Sequence, residues 1–150
     1  MIIKLANAEH IEYSKLISKL IDESAKIRGT GIARRSPLYI KEKILSGNSV
    51  IALDENNFAG FCYIEAWEHG KYVAHSGLIV SPKYRNKGIG KKIKNRVLEL
   101  SLKKYPKSKI FGITTGMPVM KINYELGYRP AHFNDCLLYT SDAADDVASG

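Results

Sequence analysis

Cysteine is scarce in this chain, which carries only Cys62 and Cys136. Neither has the neighbouring ligand residues of a metal site, and such sparse use is typical of a reducing compartment. No apolar run approaches the roughly twenty residues that a membrane span requires. Met1 leads directly into a strand-like segment without a basic leader, so we expect no signal peptide. These absences predict a cytoplasmic protein without a membrane anchor or a metal.

The chain has 150 residues, enough for one domain and too few for two ordinary ones. Its formal net charge is +8, from 23 Lys+Arg against 15 Asp+Glu. A basic balance suits nucleic acid or an anionic cofactor. The lysines concentrate between Lys83 and Lys109, and no basic stripe is interleaved with aromatic residues. This placement favours an anionic coenzyme over nucleic acid.

A glycine-spaced basic stretch joins an apolar strand to a lysine-rich helix, and it runs Arg85-Asn86-Lys87-Gly88-Ile89-Gly90. Glycines at a helix start let a ligand approach the backbone closely, and the unpaired N–H groups of the first turn attract anions. Lys91 and Lys92 add positive charge. A Walker loop would need Ser or Thr after Gly-Lys, and a Rossmann fingerprint needs a third glycine and a later acidic residue. Neither pattern fits.

The order from Val80 to Gly90, VSPKYRNKGIG, resembles the acetyl-CoA-binding motif of the GCN5-related N-acetyltransferases, the GNAT superfamily. A strand over 109–114, a short helix over 118–126 and Gly127-Tyr128 extend the resemblance over most of residues 1–133. The resemblance implies N-acetyltransferase activity with acetyl-CoA, or another short acyl-CoA, as co-substrate. It also implies that Arg85, Asn86, Lys87, Gly88, Ile89, Gly90 and Lys91 hold the pyrophosphate. The backbone of Leu78, Ile79 and Val80 would pair with the pantetheine arm.

Hydrophobic periodicity and turn residues predict the element order βααβββαβαβ. The first helix follows the N-cap candidate Asn7, the second runs from Ser36-Pro37 to Leu45, and a hairpin and a third strand lead into the glycine motif. This order is a mixed α/β fold, neither doubly wound nor wholly antiparallel.

N-acyl transfer needs a base for the amine, and Glu65 is the first candidate because it interrupts an otherwise apolar strand. A solvent-facing glutamate near a turn is the other interpretation. In several GNAT relatives the base lies eleven residues before the motif arginine, where this chain has Ala74. Its neighbour His75 is a second candidate, although a lone strand histidine is more often structural.

The family position for a general acid lies near the end of the short helix. GNAT relatives often place a tyrosine four residues before the closing glycine, whereas this chain has Asn123 there and Tyr124 one step later. Asn123 is therefore a candidate for a hydrogen bond to the coenzyme or its sulfur, and Tyr124 for the acid or for core packing. The missing tyrosine keeps a non-catalytic acyl-CoA-binding domain as an alternative.

Arginines Arg28, Arg34 and Arg35 flank two glycines in the connection that GNAT relatives use to wall the acceptor pocket. Such a group suits carboxylates, although a solvated basic loop would look the same. Thr114 and Thr115 lie where the acceptor would approach. The arginine segment 28–35, together with the segments 61–65 and 114–116, resembles small GNAT proteins of Bacteroidetes-type bacteria. Those proteins are associated with arginine biosynthesis and are similar to glutamate N-acyltransferases. We expect the acceptor to be a small acidic amine such as glutamate. A polyamine, an antibiotic or a protein amine is the alternative acceptor. A homodimer is also compatible with the sequence.

Composition changes after Asp135, where residues 136–145 lack any basic side chain. This string resembles a sequencing adapter translated in frame. We therefore expect a GNAT domain over residues 1–135, truncated near Asn134, and a non-native tail over 136–150.

Overall fold

The computed structural model describes residues 1–28, 35–114, 117–131 and 145–148, and their side chains over 1–26, 35–112 and 121–128. The strands are β1 (Ile2–Leu5), β2 (Ser49–Asp54), β3 (Asn57–Trp67), β4 (Tyr72–Val80), β5 (Lys109–Thr114), β6 (Arg129–Ala131) and β7 (Asp145–Ala148). The α-helices are α1 (Ser14–Arg28), α2 (Pro37–Leu45), α3 (Ile89–Lys104) and α4 (Met117–Glu125). Short 3₁₀ helices cover Ala8–Tyr13 and Pro82–Tyr84.

The seven strands of the described ranges form one mixed sheet in the order β1-β2-β3-β4-β5-β7-β6. The pairs from β1 to β4 are antiparallel. Short turns join β2 to β3 and β3 to β4, whereas α1 and α2 lie between β1 and β2. The pairs β4–β5, β5–β7 and β6–β7 are parallel. Because a parallel pair needs a crossover, α3 connects β4 to β5 across one face of the sheet.

Alternating side chains of the central strands fill two cores, one on each face of the sheet. On one face, Cys62 and Ile64 of β3 belong to the cluster that contains Ile93 and Val97 of α3. On the other face, α1 and α2 cover the sheet, and the cluster there consists of Ile17, Ile21, Ile40, Ile44, Phe61, Tyr63 and others. The central strands are therefore buried on both sides.

The mixed α/β class and the order of the first ten elements are confirmed. The boundaries differ little from those predicted. Asn7 caps the 3₁₀ helix that leads into α1, and not α1 itself, because the Glu9 N–H donates to the Asn7 side chain. The strand β7 was not expected, and it lies within the segment that the sequence predicts to be a non-native tail. None of the helices in the described ranges combines the length and the apolar character needed to cross a bilayer.

Candidate active site

Strands β4 and β5 separate part way along their length. Their pairing ends at His75 and Gly112, whereas β4 continues to Val80. A bulge accompanies the separation, because β4 has one residue more than β3 between the pairs Phe61–Ile79 and Tyr63–Ser76. Gly77 lies in this bulge with φ +65°, and a Cβ on Gly77 would lie 2.3 Å from the Tyr63 ring. Only glycine meets both conditions at this position.

Beyond the bulge, the N–H and C=O groups of successive β4 residues point alternately towards β3 and towards the side where β5 has separated. The Ser81 N–H donates to the Ala59 carbonyl at 2.8 Å, and the Ile79 carbonyl also lies on the β3 side, beside Gly60. By alternation, Leu78 and Val80 direct their N–H and C=O groups to the side where β5 has separated. There the Val80 carbonyl accepts a bond from Arg85 Nε at 2.9 Å. Two residues of β4 thus offer strand-like partners to an extended ligand.

The glycine motif forms a tight turn that ends at the start of α3. Gly88 is the N-cap with φ +75°, and Asn86 also has positive φ, at 64°. The first turn of α3 contains no acidic residue, so its unpaired N–H groups and positive end are not neutralised locally. Tyr84 fixes the turn through a 2.9 Å hydrogen bond from its hydroxyl to Asp54. This geometry suits an anion.

Four other positions in or next to the motif have distinct surroundings. Lys87 lies 5.8 Å above the Tyr84 ring, and Lys91 pairs with Glu125 at 2.6 Å, which lowers the pKa of that carboxyl. Ile89 is buried in the α3 core. A Cβ on Gly90 would lie 3.3 Å from the Ile122 side chain, so Gly90 also serves the packing of α4 on α3.

Asn123 of α4 is buried, and within the described part of the chain its Oδ1 has no hydrogen-bond partner. A buried amide oxygen without a partner is costly, and such a group is often completed by a ligand. Tyr124 has the opposite surroundings, since it is 57% exposed and lies outside both cores. The structure therefore distinguishes the two residues: Asn123 is buried, whereas Tyr124 faces solvent.

Glu65 lies on the face that α1 and α2 cover, opposite Ala74 on the neighbouring strand. Its side chain is 30% exposed, and Lys43 Nζ of α2 lies 2.9 Å from its Oε1. Burial raises the pKa of Glu65, and Arg35 opposes the rise. Glu65 is thus a partly desolvated carboxylate on a central strand, beside the small side chain of Ala74. The alternative of a solvent-facing glutamate at a sheet edge does not describe this position.

Arg35 is held against the same face of the sheet. Its Nε donates to the Tyr63 hydroxyl at 2.7 Å and its Nη2 donates to Ser76 Oγ at 3.1 Å. Ser76 Oγ in turn donates to the Tyr63 hydroxyl at 3.3 Å. The guanidinium therefore lies at the end of the β4–β5 pairing, where Ser76 follows His75. The side chains of Arg28 and Thr114, and all of Arg34 and Thr115, lie outside what the structure describes.

His75 points to the opposite face and is enclosed in the α3 core. Ser101 Oγ donates to the Val97 carbonyl, so it accepts the Nε2–H of His75 at 2.8 Å. The Tyr128 hydroxyl then donates to Nδ1 at 2.7 Å. Burial and the nearby Lys94 hold the pKa of His75 well below its ordinary value. Its partners assign a neutral imidazole, which is enclosed on the side of the sheet away from Glu65.

Sequence reasoning missed three parts of this site. Lys43 gave no local signal, because its contact with Glu65 spans 22 positions and arises only when α2 packs on the sheet. Tyr63 and Ser76 looked like ordinary strand residues. A stacked aromatic pair, Trp67 and Phe111, also lies near Glu65, with ring centroids 5.7 Å apart. Phe111 pairs in register with Ala74. The alternation of side chains along β5 was therefore the only sequence signal that could have placed Phe111 on this face of the sheet.

Comparisons with known proteins agree with this geometry. The profile of the acetyltransferase (GNAT) family matches residues 30–115. A GNAT-family acetyltransferase structure from Staphylococcus aureus Mu50 has a TM-score of 0.70 at 20% identity, covering 89% of this chain and 87% of that one.

Two other similar structures contain coenzyme A. N-acetylglutamate synthase from Neisseria gonorrhoeae, complexed with coenzyme A and N-acetyl-glutamate, has a TM-score of 0.69 at 19% identity. The match covers 89% of this chain but 29% of the synthase. An aminoglycoside 6'-N-acetyltransferase complexed with coenzyme A has a TM-score of 0.57 at 17% identity, covering 69% of this chain and 57% of that one. No curated protein sequence matches the chain significantly.

Proposed function

Because this chain belongs to the GNAT family of N-acetyltransferases, which use acetyl-CoA as co-substrate, we propose that its acceptor is a small acidic amine, most simply glutamate. The observation that carries the proposal is the group formed by Glu65, Lys43 and Arg35 on the face of the sheet covered by α1 and α2. It combines a carboxylate able to accept a proton with two cations able to attract the carboxylates of an acceptor.

The coenzyme is proposed to occupy the separation between β4 and β5. Leu78 and Val80 offer backbone groups to the pantetheine arm, while Ile79 bonds towards β3 and contributes only its place in the strand. The loop from Arg85 to Lys91 offers N–H groups and positive charge to the pyrophosphate. We propose that the Asn123 side-chain amide forms a hydrogen bond with the coenzyme, which would satisfy its buried Oδ1.

Glu65 is proposed to act as the base. The amine nitrogen attacks the thioester carbonyl carbon, the carbon–sulfur bond breaks, and the thiolate of CoA leaves. The proton lost by the amine passes to the Glu65 carboxylate, directly or through a water. Glu65 is suited to this role because its desolvation raises its pKa and because it lies across from Ala74, the position that holds the carboxylate in several relatives.

Thiol release from acetyl-CoA, measured over a panel of amines, tests the acceptor. We expect glutamate to give a higher kcat/KM than glutamine, a polyamine or a lysine peptide, because an amide leaves the cations of the pocket poorly paired. A polyamine or a lysine peptide used as well as glutamate would overturn the acidic acceptor. It would leave the N-acetyltransferase assignment standing.

Glu65→Gln tests the base. We expect kcat to fall by about a hundredfold or more while CoA affinity stays near that of the wild type. Glu68→Gln, in the exposed turn after β3, is the matched control. An unchanged rate and pH profile in Glu65→Gln would leave Glu65 with a structural role only.

A further inference from the structure

Lys43 is a cation placed against the proposed base by the end of α2. It lies in the last turn of this helix, with its side chain 13% exposed, and its Nζ reaches Glu65 Oε1 at 2.9 Å. Burial lowers the pKa of its ammonium, which Glu42 opposes and Lys104 reinforces. The ammonium and the carboxylate are therefore held together where water is partly excluded, and their interaction is stronger than on an open surface.

Neutral groups hold Lys43 in place independently of Glu65. Its Nζ donates to the Ile64 carbonyl at 2.9 Å. It also lies 5.6 Å from the centre of the Tyr39 ring and 5.4 Å from that of the Tyr63 ring, distances at which aromatic faces attract cations. The ammonium can therefore stay at this site while its anionic partner changes.

The ion pair also restrains the base. A carboxylate bound to an ammonium is a weaker proton acceptor, because protonating it would break the pair. Arg35, held by Tyr63 and Ser76, adds a second positive charge near Glu65. An acceptor that brought its own carboxylate to Lys43 would relieve this restraint, whereas an uncharged acceptor would leave it in place.

We propose that Lys43 couples acceptor choice to the base: the side-chain carboxylate of the acceptor takes over the Lys43 ammonium, and Glu65 is thereby released to accept the proton of the amine. This inference rests on the proposed function and deepens it. Lys43 becomes a specificity-determining residue that favours acidic acceptors twice, by binding their carboxylate and by freeing the base only when they are bound.

Lys43→Met, which keeps the apolar stem and removes the charge, provides the test with acetyl-CoA and with glutamate or glutamine as acceptor. We expect kcat/KM for glutamate to fall by about tenfold or more, as is typical for loss of a hydrogen bond to a charged group. We expect kcat/KM for glutamine to hold or rise, because the variant no longer restrains Glu65. Lys43→Arg should recover much of the preference for glutamate. Lys41→Met, on an exposed position of the same helix, is the matched control.

The pH profile separates this role from simple support of the fold. Lys43→Met removes a cation that favours the ionised form of Glu65, so the pKa of Glu65 should rise. The acidic limb of the pH profile of kcat/KM should therefore move to higher pH in this variant. An unchanged limb and an unchanged glutamate-to-glutamine ratio would overturn the role of Lys43 while the proposed function stands. A wild-type enzyme that acetylates neither amino acid would overturn the proposed acceptor and this inference with it.

Discussion

Gly88 and Gly47 have the same backbone angle, φ +75°, and nothing lies within 4 Å of the position that a Cβ would occupy at either. Replacing either with Ala should therefore lower the free energy of unfolding by a similar amount, about 1–2 kcal/mol, because an L-residue is strained in this conformation. Only Gly88→Ala should also weaken CoA binding, by about tenfold, since only Gly88 lies in the proposed pyrophosphate loop. Calorimetric titration and thermal unfolding of both variants measure the two effects. Equal CoA affinity in the two variants would contradict the loop assignment.

The buried imidazole of His75 should make stability depend on pH. Its pKa in the folded state lies well below the value of about 6.5 expected in the unfolded chain, so folding favours the neutral form. This contribution is fully present above pH 6.5 and is lost as the pH falls below it towards the folded pKa. Denaturant unfolding at a series of pH values should show a shallower acid loss in His75→Asn than in the wild type. His69→Asn, in the exposed turn after β3, is the control, and identical slopes for His75→Asn and the wild type would contradict the prediction.

Local sequence carries a signal for some of the candidate site residues and none for others. The motif from Arg85 to Gly90 carries its own signal, because the turn, the helix start and the charges are all close in the chain. Glu65 carries a signal of its own, because a charged residue is unusual in an otherwise apolar strand. The Lys43 contact and the opposite orientation of His75 depend on how α2 and α3 pack on the sheet, which neighbouring residues do not specify.

At the scale of elements, α2 is the part that brings Lys43 to Glu65, and its start depends on Ser36. The Ser36 side chain accepts the Tyr39 N–H at 3.1 Å, and Pro37 follows at the first helical position. Ser36→Ala should lower the free energy of unfolding by about 1 kcal/mol, and Ser36→Asp should largely preserve it. Ser46→Ala, at the exposed end of the same helix, should cost less. Urea unfolding measures all three, and an equal cost at both ends would contradict the capping role.

The same scale explains which parts of the sheet were predictable. The strands follow from apolar runs and turns, and all of β1 to β5 were found in the right order. The separation of β4 from β5 was not predicted, because it depends on the extra residue at Gly77 and on contact with the Tyr63 ring. A glycine inside a strand signals a bulge only in general terms.

The whole molecule joins two cores through one sheet, and a group of basic residues lies in or next to the loop that begins α3. Lysines 83, 87, 91 and 92 surround the proposed pyrophosphate site. Part of the affinity for CoA should therefore come from long-range attraction, which salt screens over about 10 Å at 0.1 M ionic strength. Raising the salt concentration from 0.05 to 0.5 M should weaken CoA binding in titration calorimetry. A dissociation constant that does not depend on salt would show that the short contacts of the loop dominate.

The role of residues 136–150 is also a question about the whole molecule. In the structure, β7 lies between β5 and β6, yet two of its four residues are aspartates, which strands disfavour. The described side chains of both cores lie between Ile3 and Tyr128. A chain ending at Asp135 should therefore unfold cooperatively within about 2 kcal/mol of the full chain, a modest fraction of the stability of an ordinary domain, and should still be stabilised by CoA. Replacing residues 145–148 by glycine and serine in the full chain is the matched control. If both changes abolished the cooperative transition, β7 would be an essential strand of the domain, and the interpretation of the tail as non-native would be wrong.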